Sequence, residues 1–594
     1  MIARVIPLLR LPRQLGVFDY VIPAELAVVA GALVTVEFRR RHVVGLVAAI
    51  APTSDIPPAR LKPLLRVLTD QPIVPTHFFE IISYVCREGV ASPATALRSI
   101  LPSFRQRDHL DLNGRPDRPT RRRPGNPPQL LTYRYEAARL KKLGQLVDET
   151  RAAGRSLLII VPLQDDAARL AREVPGATMF DHNQTTIAFR KKYIDVLESK
   201  GSVVIGTRSA IFAPLRDLGA VVVVDEESDE LVQDEPNPRY DVRAVAMLLA
   251  RHTGAALYFM SRLPSLVTWK TIKESAAIEP LPVPVSSFTD LEEARRGGDY
   301  ELITERNRDA IGQAVRAKQR VVIVHGRAAQ FGSLECRDCG YVATCPVCTV
   351  PFRIDANQLV CRHCGTNAPI PTQCPACRSV RLRGRGQGLP LLAETLKRDP
   401  VVRLTLDPAD RRANVVLITP TETRSTPDDS FDLGLITRYD SVLAVPRYDA
   451  DERARRIICH LAAKIRRGGR LIVQASPIFQ DIVAETFRGD WRQRSLSAAE
   501  RYGYPPAWRI MQLRRRSSAD DRTQSPESVA AALRRTDPDL NITGPLPARA
   551  RSRTNRPGHQ IILRYRQQLT PSVRTILESL DEHWTVTLDP RELQ

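Results

Sequence analysis

No apolar run in this 594-residue chain approaches the length of a membrane span. Met1 to Leu11 carries two arginines but neither a long apolar core nor a small-residue cleavage site, so no cleavable leader is expected. From these absences a soluble, cytoplasmic chain with no membrane partner is expected. Lysine is scarce beside arginine, and no Gly-Lys pair occurs anywhere. The ten cysteines do not suit a disulfide framework in a reducing compartment.

What is present looks globular. Hydrophobic residues make up 43% and charged residues 26%, and the length suggests several domains. The formal charge is +21, which attracts polyanions; nucleic acid is the first partner to consider, because neutralising phosphates releases counterions.

Eight of the ten cysteines fall in one stretch: Cys336-Arg-Asp-Cys339, Cys345-Pro-Val-Cys348, Cys361-Arg-His-Cys364 and Cys374-Pro-Ala-Cys377. A Cys-x-x-Cys turn sets two thiolates on one side of an ion, and two turns complete a tetrahedral site. Four turns therefore predict two Zn²⁺ per chain. Nested pairing is favoured, with Cys345, Cys348, Cys361 and Cys364 inside and Cys336, Cys339, Cys374 and Cys377 outside. Thr349–Val360 then forms a small hairpin, whereas sequential pairing leaves only Gly340–Thr344 between the first two knuckles. An iron–sulfur centre is the chemical rival. His363 reads as a surface residue, and Cys86 and Cys459 read as core packing. Two Zn(Cys)₄ units lower the formal +21 to about +17, so the chain stays basic.

The rest of the chain divides by pattern. Val28–Phe38 and Val43–Ile50 read as strands, Phe78–Cys86 and Ala94–Leu101 as helices. Residues 105–128 are rich in Arg, Pro, Gly and Asn and read as a basic linker. Short apolar strands follow at Leu157–Val161, Val203–Thr207, Ala220–Val224 and Leu257–Met260. After a crossover come Val321–Val324, Val415–Thr419, Val442–Val445 and Leu471–Gln474. Two doubly wound α/β lobes fit this alternation, with the cysteine stretch interrupting the second after its first strand.

These landmarks, with several motifs in order, resemble the PriA family of replication restart proteins. In the N-terminal part, Pro7–Tyr20 resembles the family's 3′-DNA-end-binding domain. The resemblance implies that Phe18, Asp19 and Lys62 line a pocket for the terminal nucleotide, although the family's pocket glycine is Arg39 here. Ile205-Gly-Thr-Arg-Ser-Ala-Ile-Phe212 resembles a helicase motif. Asp225-Glu226-Glu227-Ser228 resembles the DEAH box, in which Asp225 would hold Mg²⁺ and Glu226 would orient the attacking water. Arg239-Tyr240 and Arg243 continue the match, as do Tyr504-Pro505-Pro506-Ala507-Trp508 and Gly544-Pro545-Leu546-Pro547. The family's C-terminal domain contacts branched DNA and the single-stranded DNA-binding protein.

The nucleotide motifs depart from the pattern. A loop ending in Gly-Lys-Thr should follow the strand near Leu130–Thr132, but the chain reads Leu130-Leu-Thr-Tyr-Arg-Tyr-Glu136. The Gly-Ser-Ala-Thr motif is Met260-Ser-Arg-Leu263. Ile-Gly-Thr-Gln is Ile418-Thr-Pro-Thr421. The arginine-finger motif is reduced to Leu461-Ala-Ala-Lys464-Ile-Arg466-Arg467-Gly-Gly-Arg470. Gly384-x-Gly386-x-Gly388 follows the zinc stretch and does not replace the cradle. Asp225 and Glu226 are then expected to be relics in a solvent-facing acidic turn, without catalysis and without ATP or Mg²⁺. The stretch between Leu101 and Leu130 is too short for the family's winged helix.

The expected organisation is α/β: a 3′-DNA-end-binding, β-rich domain (1–104), the linker (105–128), helicase-like lobe 1 (129–285), helicase-like lobe 2 (286–485) carrying the two-zinc module (336–379), and an α+β DNA-binding domain (486–594). The resemblance implies recognition of abandoned or stalled forks and single-stranded DNA. It also implies primosome assembly with the single-stranded DNA-binding protein and the proteins that load the replicative helicase, here without helicase activity. Two alternatives stay open: an active 3′–5′ helicase with a divergent nucleotide site, and a zinc-ribbon protein of transcription or RNA handling.

Overall fold

The computed structural model describes the chain except for residues 107–109, 111, 113–126, 182–184, 236, 273, 278–284, 327–332, 348–350, 356–357, 362–364, 385–387, 444–446, 489–490, 516–523, 549–557, 567 and 592–594. Most of the expected linker, and Cys348, His363 and Cys364, lie outside the described residues.

Five strands close into a barrel in the order β1-β2-β5-β3-β4: β1 (Ile2–Pro7), β2 (Phe18–Val21), β3 (Leu33–Phe38), β4 (Arg41–Ala51) and β5 (Lys62–Val67). Ala3, Val5, Val34 and Val36 point inward at alternate positions and meet Tyr20, Val47 and Leu64. The strand expected from Val28 starts only at Leu33, because Gly31 turns the chain at φ 86°. The helices α1 (Phe78–Gly89) and α2 (Pro93–Ile100) lie close to where periodicity sets them.

Next comes a seven-stranded parallel sheet. Its strands are β6 (Gln129–Thr132), β7 (Ser156–Ile160), β8 (Ala177–Phe180), β9 (Val203–Gly206), β10 (Leu218–Val224), β11 (Ala256–Ser261) and β12 (Glu274–Ala277). The order is β12-β6-β11-β10-β7-β9-β8. Parallel strands are covered on both faces and so read as unbroken apolar runs, which is why β7 and β10 were legible. The helices α3 (Glu136–Ala152), α4 (Val242–Thr253) and α5 (Leu266–Thr271) follow β6, precede β11 and follow β11.

The second sheet has six parallel strands, β13 (Val285–Asp290), β14 (Val321–Val324), β15 (Leu404–Thr405), β16 (Val415–Ile418), β17 (Phe431–Ile436) and β18 (Ile465–Ala475), ordered β13-β18-β17-β14-β16-β15. The expected strand at Val442–Val445 is wrong: Asp440–Leu443 is helical, and the strand is β17 instead. A short apolar run does not distinguish helix from strand, and Asp432 and Gly434 disguised the real one. Gly434 is needed there, since a Cβ would stand 2.7 Å from Ile465 Cδ1. The cysteine module follows β14, the second strand of this sheet in chain order, not the first. Helix α6 (Ala450–Lys464) is buried along most of its length and faces the first sheet's domain.

The last domain is a four-stranded antiparallel sheet, with β19 (Arg509–Arg515), β20 (Asn541–Pro547), β21 (His559–Tyr565) and β22 (Trp584–Leu588) in the order β20-β21-β19-β22. Helices α7 (Pro526–Thr536) and α8 (Pro571–Ser579) cover it through Val529, Leu533, Val573 and Leu577. Among the described residues, no helix is long and apolar enough to cross a membrane.

Candidate functional site

The acidic box sits at the carboxyl end of β10, where chemistry is sited in open α/β sheets. Its expected solvent-facing setting is incorrect. Asp225 is 5% exposed, and Glu226 and Glu227 are fully buried. The cause is tertiary: the turn after β6, helices α4 and α5, and α6 from the second sheet's domain supply partners on every side. Asp225 itself takes a left-handed φ of 47°, which Asp tolerates better than most residues.

Each carboxylate is held. The Tyr133 hydroxyl donates to Asp225, and Arg139 Nη1 lies 3.7 Å from its other oxygen. Ser265 caps α5 and donates to Glu226 twice, from N–H at 2.6 Å and from Oγ at 2.9 Å, while Thr268 Oγ1 donates at 2.5 Å. Arg243 adds a cation 3.7 Å from Glu226 and pairs with Asp241, the cap of α4, at 2.6 Å. Ser261 Oγ donates to Glu227 at 2.7 Å, and His460 of α6 approaches to 3.4 Å. Burial opposes ionisation of Asp225, but Arg139 and Arg424 outweigh it and hold the carboxyl well below its ordinary range. Burial pushes Glu226 up, against the pull of Arg243. Burial and the nearby Arg424 push the His460 imidazole well below its ordinary range.

The turn that follows β6 reads Thr132-Tyr-Arg-Tyr-Glu136, without the Gly-Lys pair of a phosphate loop. Tyr133 occupies the turn that follows β6; it is fully buried, and its ring lies under Arg139 and Arg262. The expected finger arginines, Arg466, Arg467 and Arg470, are exposed, and Arg466 pairs with Asp432 at 3.2 Å. Lys464, by contrast, is 1% exposed and pairs with Asp428. Sequence reasoning missed Asp428, Arg139 and His460. His460 directly precedes the altered arginine-finger stretch and Arg139 follows the altered loop stretch, but neither belongs to the motif's own pattern, and Asp428 lies in no motif.

The outer cysteines come together. The Sγ atoms of Cys336, Cys339, Cys374 and Cys377 all lie within 4.8 Å of one another, with Cys336–Cys377 and Cys339–Cys374 each at 3.6 Å. A tetrahedron built on Zn–S bonds of about 2.3 Å has S–S edges of about 3.8 Å, so this quartet fits one zinc ion. Strand Leu334–Cys336 pairs with Leu382–Gly384 and ties the two outer knuckles. Between them, Arg353–Asp355 and Gln358–Val360 form the anticipated hairpin, with Asn367–Pro369 as a third strand. Cys345 and Cys361 are buried beside it at 1% exposure.

In the barrel, the two residues of the expected pair leave β2 on opposite faces, as strand alternation requires. Phe18 packs edge-on against Phe38 at 4.9 Å. Asp19 accepts from Ser54 and stands 3.9 Å from Arg4. Lys62 reaches Glu37 at 2.7 Å, on the strand that also carries Phe38. The hydrogen bond from Lys62 and its charge lower the Glu37 pKa. Phe38 pairs with Arg41, which leaves Arg39-Arg40 as a two-residue turn with φ of 47° and 61°. Two positive φ angles are the mark of a type I′ turn, usually Asn-Gly, so Arg39 occupies a backbone conformation suited to glycine. Arg40→Gly is expected to raise the unfolding free energy by roughly 0.5–1 kcal/mol, as relief of left-handed strain exceeds the added chain entropy. Urea titration of the full chain checks this.

In the C-terminal domain, Tyr504 stacks on Tyr448 at 5.7 Å and Arg566 lies 4.6 Å over Trp508. These aromatics line a cavity of about 800 Å³ between α1, α4 and the last domain.

Residues 8–102 match the family model described as the PriA 3′DNA-binding domain, and residues 500–591 match the one described as the primosomal protein N C-terminal domain. The replication restart protein PriA of Bacillus subtilis (strain 168) is 22% identical over 486 residues, covering 73% of this chain and 59% of that protein. That of Synechocystis sp. is 25% identical over 408 residues, covering 61% of this chain and 49% of that protein. The chain thus spans between about half and three-fifths of the length of these relatives. Among solved structures, RecG bound to a three-way DNA junction aligns with a TM-score of 0.34 at 10% identity, over 64% of this chain and 44% of that one.

Proposed function

This chain belongs to the PriA family, and on that premise we propose that it binds abandoned or stalled replication forks and promotes primosome assembly without hydrolysing ATP. The observation that carries this reading is the Tyr133 hydroxyl seated on the Asp225 carboxylate, in the turn where a nucleotide's phosphates and Mg²⁺ would have to stand. Both Glu226 oxygens already accept hydrogen bonds, from Ser265 and Thr268, in place of an attacking water. Removing one finger or one cradle slows phosphoryl transfer by orders of magnitude, and here both are altered.

DNA binding does not need that site. The net charge of +21 favours phosphate contact, and the Phe18–Phe38 pair, with Arg39 5.7 Å over the Phe38 ring, offers an aromatic face beside a cation for a terminal base, with Lys62 nearby on β5 of the same barrel. The last domain, the zinc module and the closed α/β body then act as a platform. Their partners in this reading are the single-stranded DNA-binding protein and the proteins that load the replicative helicase.

The test uses the full chain on forked DNA with an exposed 3′ end and on blunt duplex, at one fixed salt concentration. Binding should favour the fork. Phe18→Ala or Lys62→Ala should weaken fork binding by roughly tenfold, as loss of one stacked base implies, with little effect on blunt duplex. An equal loss on both substrates refutes the pocket. ATP hydrolysis should stay at background with and without DNA; hydrolysis stimulated by DNA and abolished by Glu226→Gln would overturn the reading in favour of an active motor.

A further inference from the structure

Helix α3 begins without a cap of its own. Tyr135 stands at the N-cap position and its side chain makes no capping bond. The first-turn N–H groups of a helix need an acceptor, and a tyrosine there supplies none. The Glu136 N–H finds one 292 residues further along the chain, at Asp428 Oδ2, 2.6 Å away. The same oxygen accepts from Arg262 Nη2 at 3.0 Å, and Oδ1 accepts from Lys464 Nζ at 2.5 Å. Arg262 and Lys464 are 7% and 1% exposed, and Asp428 is 10% exposed.

Two of these groups, the α3 N-terminus and Arg262, belong to the first sheet's domain. Asp428 and Lys464 belong to the second. A helix N-terminus flanked by two buried cations is the arrangement proteins use for phosphate. Here its occupant is a carboxylate carried by the chain. The joint is continued by Arg134 donating to the Ala462 carbonyl, by Arg424 to Ser228 Oγ at 2.7 Å, and by Leu266 N–H to Glu452 at 2.9 Å.

We propose that Asp428 is a built-in substitute for a phosphate group, which caps α3 across the joint and holds the two α/β domains together with no nucleotide present. The body then keeps one closed arrangement, and the surfaces it presents to DNA and protein partners are fixed. The inference stands on the contacts around Asp428 and is separable from the absence of ATP hydrolysis: an ATPase-positive protein would overturn the functional reading without touching the outcome below.

Asp428→Gly in the full chain removes the carboxylate and leaves Arg262, Lys464 and the α3 N-terminus facing a vacated space. Its thermal midpoint should fall by roughly 5 °C, as loss of a buried, paired charge implies for a domain of this size. Inorganic phosphate, compared with chloride at equal ionic strength, should restore most of that loss in the variant and do nothing for the parent protein. Asp429→Asn, at the exposed neighbouring position, should behave as the parent does. Asp428→Asn keeps the shape without the charge. It should lengthen the distance between fluorophores placed on the two domains, and phosphate should not shorten it, because the amide still fills the space. Equal phosphate response in parent and Asp428→Gly, no response in Asp428→Gly, or an unchanged distance in Asp428→Asn would each overturn the proposal. The last of these is read even if Asp428→Gly does not fold.

Discussion

Removing metal from the cysteine module is expected to unfold residues 334–384 while both parallel sheets stay intact. The module's own core is small: Leu334, Ala343, Phe352, Ile354 and Leu359 pack with Cys345 and Cys361. Segments of this size do not bury enough apolar surface to offset chain entropy without a cross-link. A structural zinc site supplies about 10–16 kcal/mol of apparent binding energy, which becomes folding energy when no site exists in the unfolded chain. Among the described residues, the cores of the two parallel sheets contain none from the module, so they have no reason to follow it. Treatment with a chelator, or Cys374→Ser, should expose 334–384 to limited proteolysis and leave the cleavage pattern elsewhere unchanged. Metal analysis of the intact chain should return two zinc ions. One ion, iron in place of zinc, or global unfolding on chelation would each contradict this account.

Arg243→Met should cost about 3–5 kcal/mol, the penalty for leaving buried carboxylates without their cation. Arg243 makes a forked contact with Asp241, Nε to Oδ1 at 2.9 Å and Nη2 to Oδ2 at 2.6 Å, and it is the cation nearest the fully buried Glu226. Methionine keeps most of the volume, so the loss reads the charge and not a cavity. The pH dependence has a definite sign. Glu226 already titrates above its ordinary value because burial disfavours the anion, and removing Arg243 moves it further up. A carboxyl raised on folding favours the folded state at low pH and loses that contribution as pH rises through the raised value. The variant's deficit relative to the parent should therefore narrow from pH 8 to pH 5. Urea midpoints at the two pH values measure it, and a deficit below about 1 kcal/mol at pH 8 would show that the Glu226 site is sustained by Ser265 and Thr268 alone.

The two α/β sheets were legible because parallel strands buried on both faces are written as uninterrupted Val, Ile and Leu. β7, β9, β10, β14 and β16 fall within a residue or two of where those runs placed them. β17 was not legible, since its Asp432 and Gly434 answer to neighbours on β18 and to Arg320, whose N–H donates to Asp432 at 2.8 Å. The barrel's closure was equally hidden: nothing local says that β1 pairs with both β2 and β4.

By itself, the sequence determined the cysteine knuckles, the order of the α/β units and the lack of a Gly-Lys phosphate loop. All three are properties of residues within a few positions of one another. Only the tertiary structure decided that Asp225, Glu226 and Glu227 are buried and partnered instead of exposed, and that Asp428 caps a helix 292 residues away. The charge of a carboxylate is written at its own position. Whether water, a metal or an arginine answers that charge depends on which distant segments the fold brings within about 3 Å, where a hydrogen bond replaces hydration.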